Sequence, residues 1–423
     1  MEASLELYLE AFGAVCVQGP KSCGKTWFSL NSANSAFMLA DPKNNYQNRK
    51  LADLDLDIVF RGESPHLIDE WQEIPEIWDA ARMKIDETGT KGQYILTGSS
   101  TPSKKGILHS GAGRMGILKL RTMSLFESGD SSGAVSLKSL FEGMPVTLDT
   151  GSVDIDTLVR LTVRGGWPQL LSVSENAAAL AVRGYVDLLL EDARTMDGVM
   201  RDSAKLRRVF RSLARNESTL AKLSTLASDT SELLNDGSAE FSRDTVLNDR
   251  TVREYLDVFS RLFLIEDQPA YDPHLKSSVR VGKAPKRHFT DPSLAVAALG
   301  LTPQQLKGNP DVFGYYFEAL CERDLAIYAE VLGGSLYHYR DLYNREVDAV
   351  LELPDGRFGL FEIKLGVKEI DDAAKNLLRI VDYWKLNELS RDPSVLCVIC
   401  GMSGAAYRRP DGVYVVPITA LRP

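Results

Sequence analysis

One octapeptide limits what this chain can fold into more than any other feature. Residues 19–26 read Gly19-Pro20-Lys21-Ser22-Cys23-Gly24-Lys25-Thr26, a G-x-x-x-x-G-K-T pattern. An apolar run at 14–18 precedes it, and Trp27, Phe28 and Leu30 follow at a spacing that suits a helix. A strand, a glycine-framed loop and a helix in that order form a phosphate cradle. Loop amides surround the phosphates, and the helix amino terminus adds partial positive charge. In such a loop Lys25 reaches the β/γ-phosphates and the Thr26 hydroxyl binds Mg²⁺, so ATP and Mg²⁺ are the expected ligands.

The residues that follow fit the same site. A second strand is expected at 37–40 and a third at 66–68, the latter ending in Asp69-Glu70. A carboxylate at the end of an apolar strand after such a loop suits Mg²⁺ binding by Asp69 and general-base work by Glu70. Residues 76–87 read as a helix, with Ile77, Ala80, Ala81 and Ile85 on one face. A fourth strand at 93–96 ends in Thr97-Gly98-Ser99-Ser100, where Thr97 is placed to sense the γ-phosphate. Alternating strands and helices give a parallel sheet with ligands at the carboxyl ends of its strands, and all three signals fall at such ends.

Two stretches here match a known family. Ile68-Asp69-Glu70-Trp71-Gln72 and Leu96-Thr97-Gly98-Ser99-Ser100 resemble the LDEIQ and LTGSS segments of bacterial and archaeal AAA-type ATPases that carry a DUF4143 domain. Gly113-Arg114 and the run from Leu118 to Glu127 resemble that family's next stretch. The resemblance implies that Arg114 is an arginine finger, acting in its own or a neighbouring subunit, which in the second case implies a homo-oligomer.

A chain of 423 residues exceeds one ordinary core. Residues 1–127 are read as the ATPase domain, 128–200 as linker and helical segment, 201–292 as a winged-helix-like domain, and 293–423 as the DUF4143 domain. Residues 128–153, rich in Gly, Ser and Asp, read as linker or peripheral loops. Gly165-Gly166-Trp167-Pro168 resembles the family's GGYP turn. Helices are expected at 176–191, 205–214, 218–227 and 251–263, the last opened by a Thr251–Glu254 capping box. Helices followed by a hairpin give the winged-helix order. Such a module binds DNA or protein, and DNA would put Arg250 and Arg253 near phosphates. Residues 228–244 read as an insertion before that helix.

Downstream, a helix at 315–331 carries Glu318. A strand with Asp348, a Pro354-Asp355-Gly356 turn and a strand with Glu362-Ile363-Lys364 then follow. Glu362 and Lys364 share a strand face because the side-chain period is two. With Asp348 and Glu318 they form a set suited to Mg²⁺ binding and phosphodiester cleavage, Lys364 being the catalytic lysine. The set resembles the PD-(D/E)xK core of restriction-endonuclease-like folds. The whole is read as α/β, a P-loop NTPase (AAA-like) parallel sheet followed by winged-helix and nuclease-like modules.

Composition excludes some classes. A net charge of −9 argues against a generic polyanion binder, and a candidate for a local basic face is the acid-free stretch 273–290, with Lys276, Arg280, Lys283, Lys286 and Arg287. Five cysteines do not make a disulfide framework, and Cys397 and Cys400, three apart in an apolar strand, are not read as a metal pair. No apolar run is long enough for a bilayer, and the acidic start lacks the basic region of a signal peptide, so a cytoplasmic protein is expected. Three functions fit: an ATPase, an ATP-powered nuclease, and a nucleotide switch with a silent nuclease-like module.

Overall fold

A computed structural model describes residues 1–100, 107–230, 247–274, 277–389 and 391–423. The chain forms two compact units. The first comprises residues 1–122 with 196–199 and 258–264, and the second comprises 123–195, 200–257 and 265–423. Among the described residues no helix is long and apolar enough to cross a membrane.

The first unit runs α1 (Glu2–Ala11), β1 (Ala14–Gln18), α2 (Lys25–Leu30), β2 (Ser35–Met38), α3 (Lys43–Leu54), β3 (His66–Asp69), α4 (Glu76–Thr88), β4 (Tyr94–Gly98) and β5 (Met115–Lys119). Its five strands are all parallel, in the order β2-β3-β4-β1-β5. Alternation along the strands divides the core into two layers. Ala14 and Cys16 of β1, Ile68 of β3, and Tyr94 and Leu96 of β4 pack with Ile77, Trp78, Ala81 and Ile85 of α4. Val15 and Val17, Leu67 and Ile95 face the other way, onto Leu5 of α1 and Phe28 of α2. A sheet covered on both faces needs near-continuous apolar strands, which is what β1, β3 and β4 supply.

The second unit begins with β6 (Val135–Ser136), α5 (Leu137–Phe141) and β7 (Thr147–Asp149). The expected linker at 128–153 is therefore structured. Val135, Leu137, Leu140, Phe141 and Val146 are buried, and β7 pairs antiparallel with a strand more than 250 residues away, Leu148 opposite Ala406. Then come α6 (Ile155–Arg164), α7 (Glu175–Thr195), α8 (Ser203–Arg215), α9 (Leu223–Ser228), α10 (Asp249–Arg261), β8 (Ile265–Gln268), α11 (Val279–Gly282) and β9 (Lys286–Phe289). The Thr251 capping box is not what starts α10. The helix begins at Asp249, the Thr251 amide donates to Asn248 Oδ1 at 2.8 Å, and Glu254 accepts from Arg250 instead. Val252, Tyr255 and Leu256 are buried as the helical spacing requires. The expected insertion at 228–244 lies, from residue 231 on, outside the described residues, as does Lys276.

The remainder is α12 (Pro292–Leu299), α13 (Pro303–Lys307), α14 (Pro310–Val331), β10 (Ser335–Arg340), β11 (Glu346–Glu352), β12 (Phe358–Lys364), α15 (Ile370–Leu386), β13 (Val395–Cys400), β14 (Ala405–Arg408), β15 (Tyr414–Pro417) and β16 (Leu421–Arg422). A seven-stranded mixed sheet runs β10-β11-β12-β13-β15-β14-β7. β11 and β12 form an antiparallel hairpin, and β12 crosses through α15 to the parallel β13. Leu377, Ile380 and Trp384 of α15 cover one sheet face against Val350, Phe358 and Leu360. α14 packs on β10, β11 and β12. Gly166 is required by its neighbours: a β-carbon there would lie 2.0 Å from the Met123 carbonyl oxygen, and its amide donates to Asp291 Oδ2 at 2.9 Å.

Candidate active site

The octapeptide leaves the carboxyl end of β1, the strand between β4 and β5 in the sheet. Gly19 and Pro20 are buried, while Lys21 and Ser22 are exposed. Ser22 (φ 62°) and Gly24 (φ 104°) take left-handed backbone, which turns the loop back on itself. Gly19 lies so close to the neighbouring strand exit that a β-carbon would sit 2.0 Å from the Leu120 carbonyl oxygen, which explains why only glycine fits. Cys23 is buried with its sulfur 3.6 Å from the same oxygen, and burial pushes its thiol pKa up. Lys25 is 5% exposed and donates to the Gly19 and Pro20 carbonyls at 2.9 and 2.8 Å, so its ammonium lies across the loop.

Three strand ends meet beneath the loop. Thr26 Oγ1 donates to Asp69 Oδ1 at 2.9 Å, and Thr97 Oγ1 donates to the same oxygen at 2.5 Å. Asp69 is buried, and burial raises its pKa against the lowering effect of the two hydroxyls. Thr97 Oγ1 also accepts from the Glu70 amide at 3.1 Å, so one hydroxyl positions both acids. Glu70 sits in the left-handed region at φ 57° and ψ 45°, which costs a side-chain-bearing residue roughly 1–2 kcal/mol. Its Oε2 accepts from Ser99 Oγ at 3.0 Å and from the Gln72 amide. The sequence marks Gln72 only by its place in the family segment, and Ser99 as one of the polar residues at the end of β4. Their signal was position, since both flank strand ends that already carried a site residue.

This set fits a metal-bound nucleotide. A glycine cradle that a β-carbon would fill, a buried lysine, and a hydroxyl already bonded to a buried carboxylate are the groups such a ligand needs. Arg114 stands elsewhere. It precedes β5, its carbonyl accepts from the Gly13 and Ala14 amides, and its guanidinium pairs with Asp86 Oδ1 at 2.9 Å. β5 runs parallel to β1, Ala14 opposite Met115 and Gln18 opposite Lys119. Arg114 is therefore at the amino end of the sheet, about 16 Å from the loop end at 3.3 Å per residue. A finger role in its own subunit is corrected by that geometry.

The second unit assembles the other constellation in part. Lys364 Nζ lies 2.8 Å from Glu362 Oε2 and 3.1 Å from Asp348 Oδ2. Asp348 also accepts from the Ile363 amide at 2.7 Å, and Glu362 Oε1 accepts from Asn376 at 2.8 Å. Burial first, then Asp348, pushes Glu362 up to about 7. Glu318 is paired not with these groups but with Lys286 of β9, which is 1% exposed and also bonds Glu322 Oε1 at 2.9 Å. Burial and nearby Asp348 hold Glu318 well above the usual carboxylate range. Among the described residues no group of three or more His, Cys, Asp and Glu side chains is arranged to hold a metal ion. Glu318 thus meets Lys286 through Oε1, and Asp348 Oδ2 and Glu362 Oε2 share Lys364, so in this arrangement ammonium groups, not a common metal position, lie between the acids. Lys286 had been assigned to a basic surface stretch. Its signal was that Lys286 and His288 fall on one face of a strand.

The rest of that stretch is also used internally. Arg280 forms a two-pronged pair with Glu352, Lys283 bonds the Arg340 carbonyl, and Arg287 lies 3.6 Å from Asp267. The described part of 273–290 is therefore not the free basic face that the sequence suggested.

Comparison with known proteins comes in three parts. Residues 11–128 match the model of an AAA domain, residues 155–305 a domain of unknown function, DUF8612, and residues 313–421 a domain of unknown function, DUF4143. Uncharacterized proteins of Mycobacterium bovis and Mycobacterium tuberculosis are each 26% identical over 367 residues, 86% of this chain and 72% of theirs. A solved Walker-type ATPase of Pyrococcus abyssi aligns at 14% identity with a TM-score of 0.44, over 70% of this chain and 94% of that one. The parallel sheet with its phosphate loop falls within the first of these matches: the chain carries an AAA domain at residues 11–128 and a DUF4143 domain at residues 313–421.

Proposed function

We propose that this chain binds and hydrolyses ATP in a Mg²⁺-dependent reaction. The observation that carries the reading is the hydrogen-bonded set Thr26–Asp69–Thr97 beneath the glycine loop, with Glu70 locked next to it. Mg²⁺, when bound, would be held by Thr26 and Asp69 and would neutralise phosphate charge. Loop amides from Gly19 to Thr26 hold the phosphates, and Lys25 exchanges its carbonyl partners for phosphate oxygens. Glu70 accepts the proton of the attacking water, and Thr97 keeps Asp69 and the Glu70 backbone in register. Arg114 remains in this reading only as a finger supplied to a neighbouring chain, which requires a homo-oligomer. A cytoplasmic location belongs to the same reading, supported by five free, buried cysteines.

The test is phosphate release from Mg²⁺-ATP by the native chain, Lys25→Ala and Glu70→Gln, with and without DNA. Turnover lost in both variants is expected. Tight ATP binding without turnover under any condition would replace the enzyme by a nucleotide switch.

A second reading rests on Lys364 bridging Asp348 and Glu362, the E-x-K arrangement of PD-(D/E)xK nucleases. In it the DUF4143 region acts on a phosphodiester, powered or gated by the ATPase, and α8–α10 with the β8–β9 pair act as a winged-helix module that presents Arg250 and Arg253. DNA stimulation in the same assay favours this reading; a DNA-indifferent ATPase that cleaves nothing retires it.

A further inference from the structure

In one cluster of the second unit four carboxylates share two ammonium groups. Glu322, Glu318, Asp348 and Glu362 stand in sequence, with Lys286 between the first two and Lys364 between the last two. Lys286 is 1% exposed and is carried by β9, not by the elements that bear the acids. β9 is fixed by its antiparallel partner β8, Gln268 opposite Lys286. Two residues onward along the strand, His288 places Nδ1 3.0 Å from Glu217 Oε1 and Nε2 2.9 Å from Gln268 Oε1. Glu322 Oε2 is buried and accepts no hydrogen bond, with His288 Nε2 3.3 Å away. A buried carboxylate oxygen without a donor is costly unless a positive charge stands close, and here that charge is the Lys286 ammonium.

We propose that Lys286 is a tethered cation that fills the Glu318–Glu322–Asp348 end of the E-x-K site and keeps divalent ions out of it. The inference rests on the second reading above for the identity of the site but not for its activity. The ammonium groups of Lys286 and Lys364 and a divalent ion compete for the same place, because each ammonium stands between two of the carboxylates and already cancels the charge that would draw a metal there. The site is therefore self-compensated as it stands. Whatever draws β9 away from α14 would exchange one internal cation for an external one. The regulator of the nuclease-like site would then be the hairpin that carries Lys286, not the supply of metal.

The test is Mn²⁺ binding by electron paramagnetic resonance to the full, nucleotide-free chain, in an Asp69→Asn background that silences the phosphate-loop site. With Lys286 present, little binding is expected. Lys286→Met should gain one Mn²⁺ per chain, bound about tenfold tighter or better than before. Lys286→Arg, which keeps the charge, should gain none, and adding Asp348→Asn to Lys286→Met should erase the gain. If Lys286→Met alone fails to fold, Lys286→Met with Glu322→Gln removes one acid together with the ammonium and carries the same expectation. Equal Mn²⁺ affinity with and without Lys286 overturns the proposal. A gained Mn²⁺ site with no cleavage of single- or double-stranded DNA upholds the proposal and retires the nuclease reading, so the two fail separately.

Discussion

His338 offers a measurable consequence of burying an imidazole beside fixed positive charge. It lies on β10 and is 2% exposed, with the Ala284 backbone as a weak polar neighbour of its ring. Burial first, then the charges of Lys286 and Lys283, depress its pKa from 6.5 to about 4; the Ala284 backbone pulls weakly the other way, and His288 adds a little to the depression. A depressed histidine contributes stability that is present above the unfolded value and is lost as pH falls toward the folded one. At pH 5 nearly all unfolded rings are protonated and about a tenth of folded ones, a difference worth about 2 kcal/mol; at pH 7 it is worth about 0.2 kcal/mol or less. His338→Leu removes the titration and, with it, the buried polar ring nitrogens. Urea unfolding of both chains at pH 7, 6 and 5 is the assay, with the second unit followed through Trp384. The stability gap between variant and native chain should widen by about 2 kcal/mol between pH 7 and pH 5, in favour of the leucine. Parallel pH profiles would refute the reasoning, because they would mean that the ring is protonated in the fold or that it reaches water.

Four further outcomes follow from the geometry. Thr97→Val removes the hydroxyl shared by Asp69 and the Glu70 amide; phosphate release should fall by about a hundredfold while ATP affinity changes little, a split read from kcat and KM. Gly19→Ala places a carbon against the Leu120 carbonyl; fluorescent-nucleotide binding should weaken by about tenfold or more, and unchanged affinity would show that the loop relaxes freely. Asp291→Ala strips Arg323 Nη1 and the Gly166 amide of their acceptor in a fully buried place; chemical denaturation should show a loss of about 3–5 kcal/mol, and a loss under about 1 kcal/mol would mean that water replaces the carboxylate. Arg114→Ala should leave nucleotide affinity intact, and if its turnover falls, mixing with Lys25→Ala chains should restore part of it, since each chain then supplies what the other lacks.

How much the sequence disclosed depended on whether cause and effect were near each other in the chain. β1 (Ala14–Gln18) and β11 (Glu346–Glu352) are legible to the residue, because apolar composition, a following turn and strand length act locally. The loop, Asp69, Glu70 and Thr97 were legible because a parallel sheet sends every strand's carboxyl end to one edge, whatever the intervening sequence. The same rule spoke against Arg114 as a finger within its own subunit, since that residue precedes its strand. By contrast β6 and β7 hold two and three residues, too few for any period, and exist because Leu421 and Ala406 lie beside them. Lys286 meets acids 32 and 36 positions away. No local pattern records a partner at that distance, and an acid-free basic stretch reads as surface until its partners are placed.

The two acid clusters also differ in how their charge is satisfied, and that difference decides what each requires. Asp69 is bonded by two hydroxyls, and both hydrogen bonds come from neutral groups. Hydroxyls lower the energy of a carboxylate but bring no positive charge, so burial still raises its pKa. A divalent cation beside Asp69 would therefore relieve an existing cost, and nucleotide binding would bring that cation with it. Glu318, Glu322, Asp348 and Glu362 are bonded instead by ammonium groups, which cancel charge directly. For them an arriving metal must first displace an ammonium group. Metal dependence is accordingly expected at the phosphate loop under ordinary conditions, and at the E-x-K site only where Lys286 has been removed.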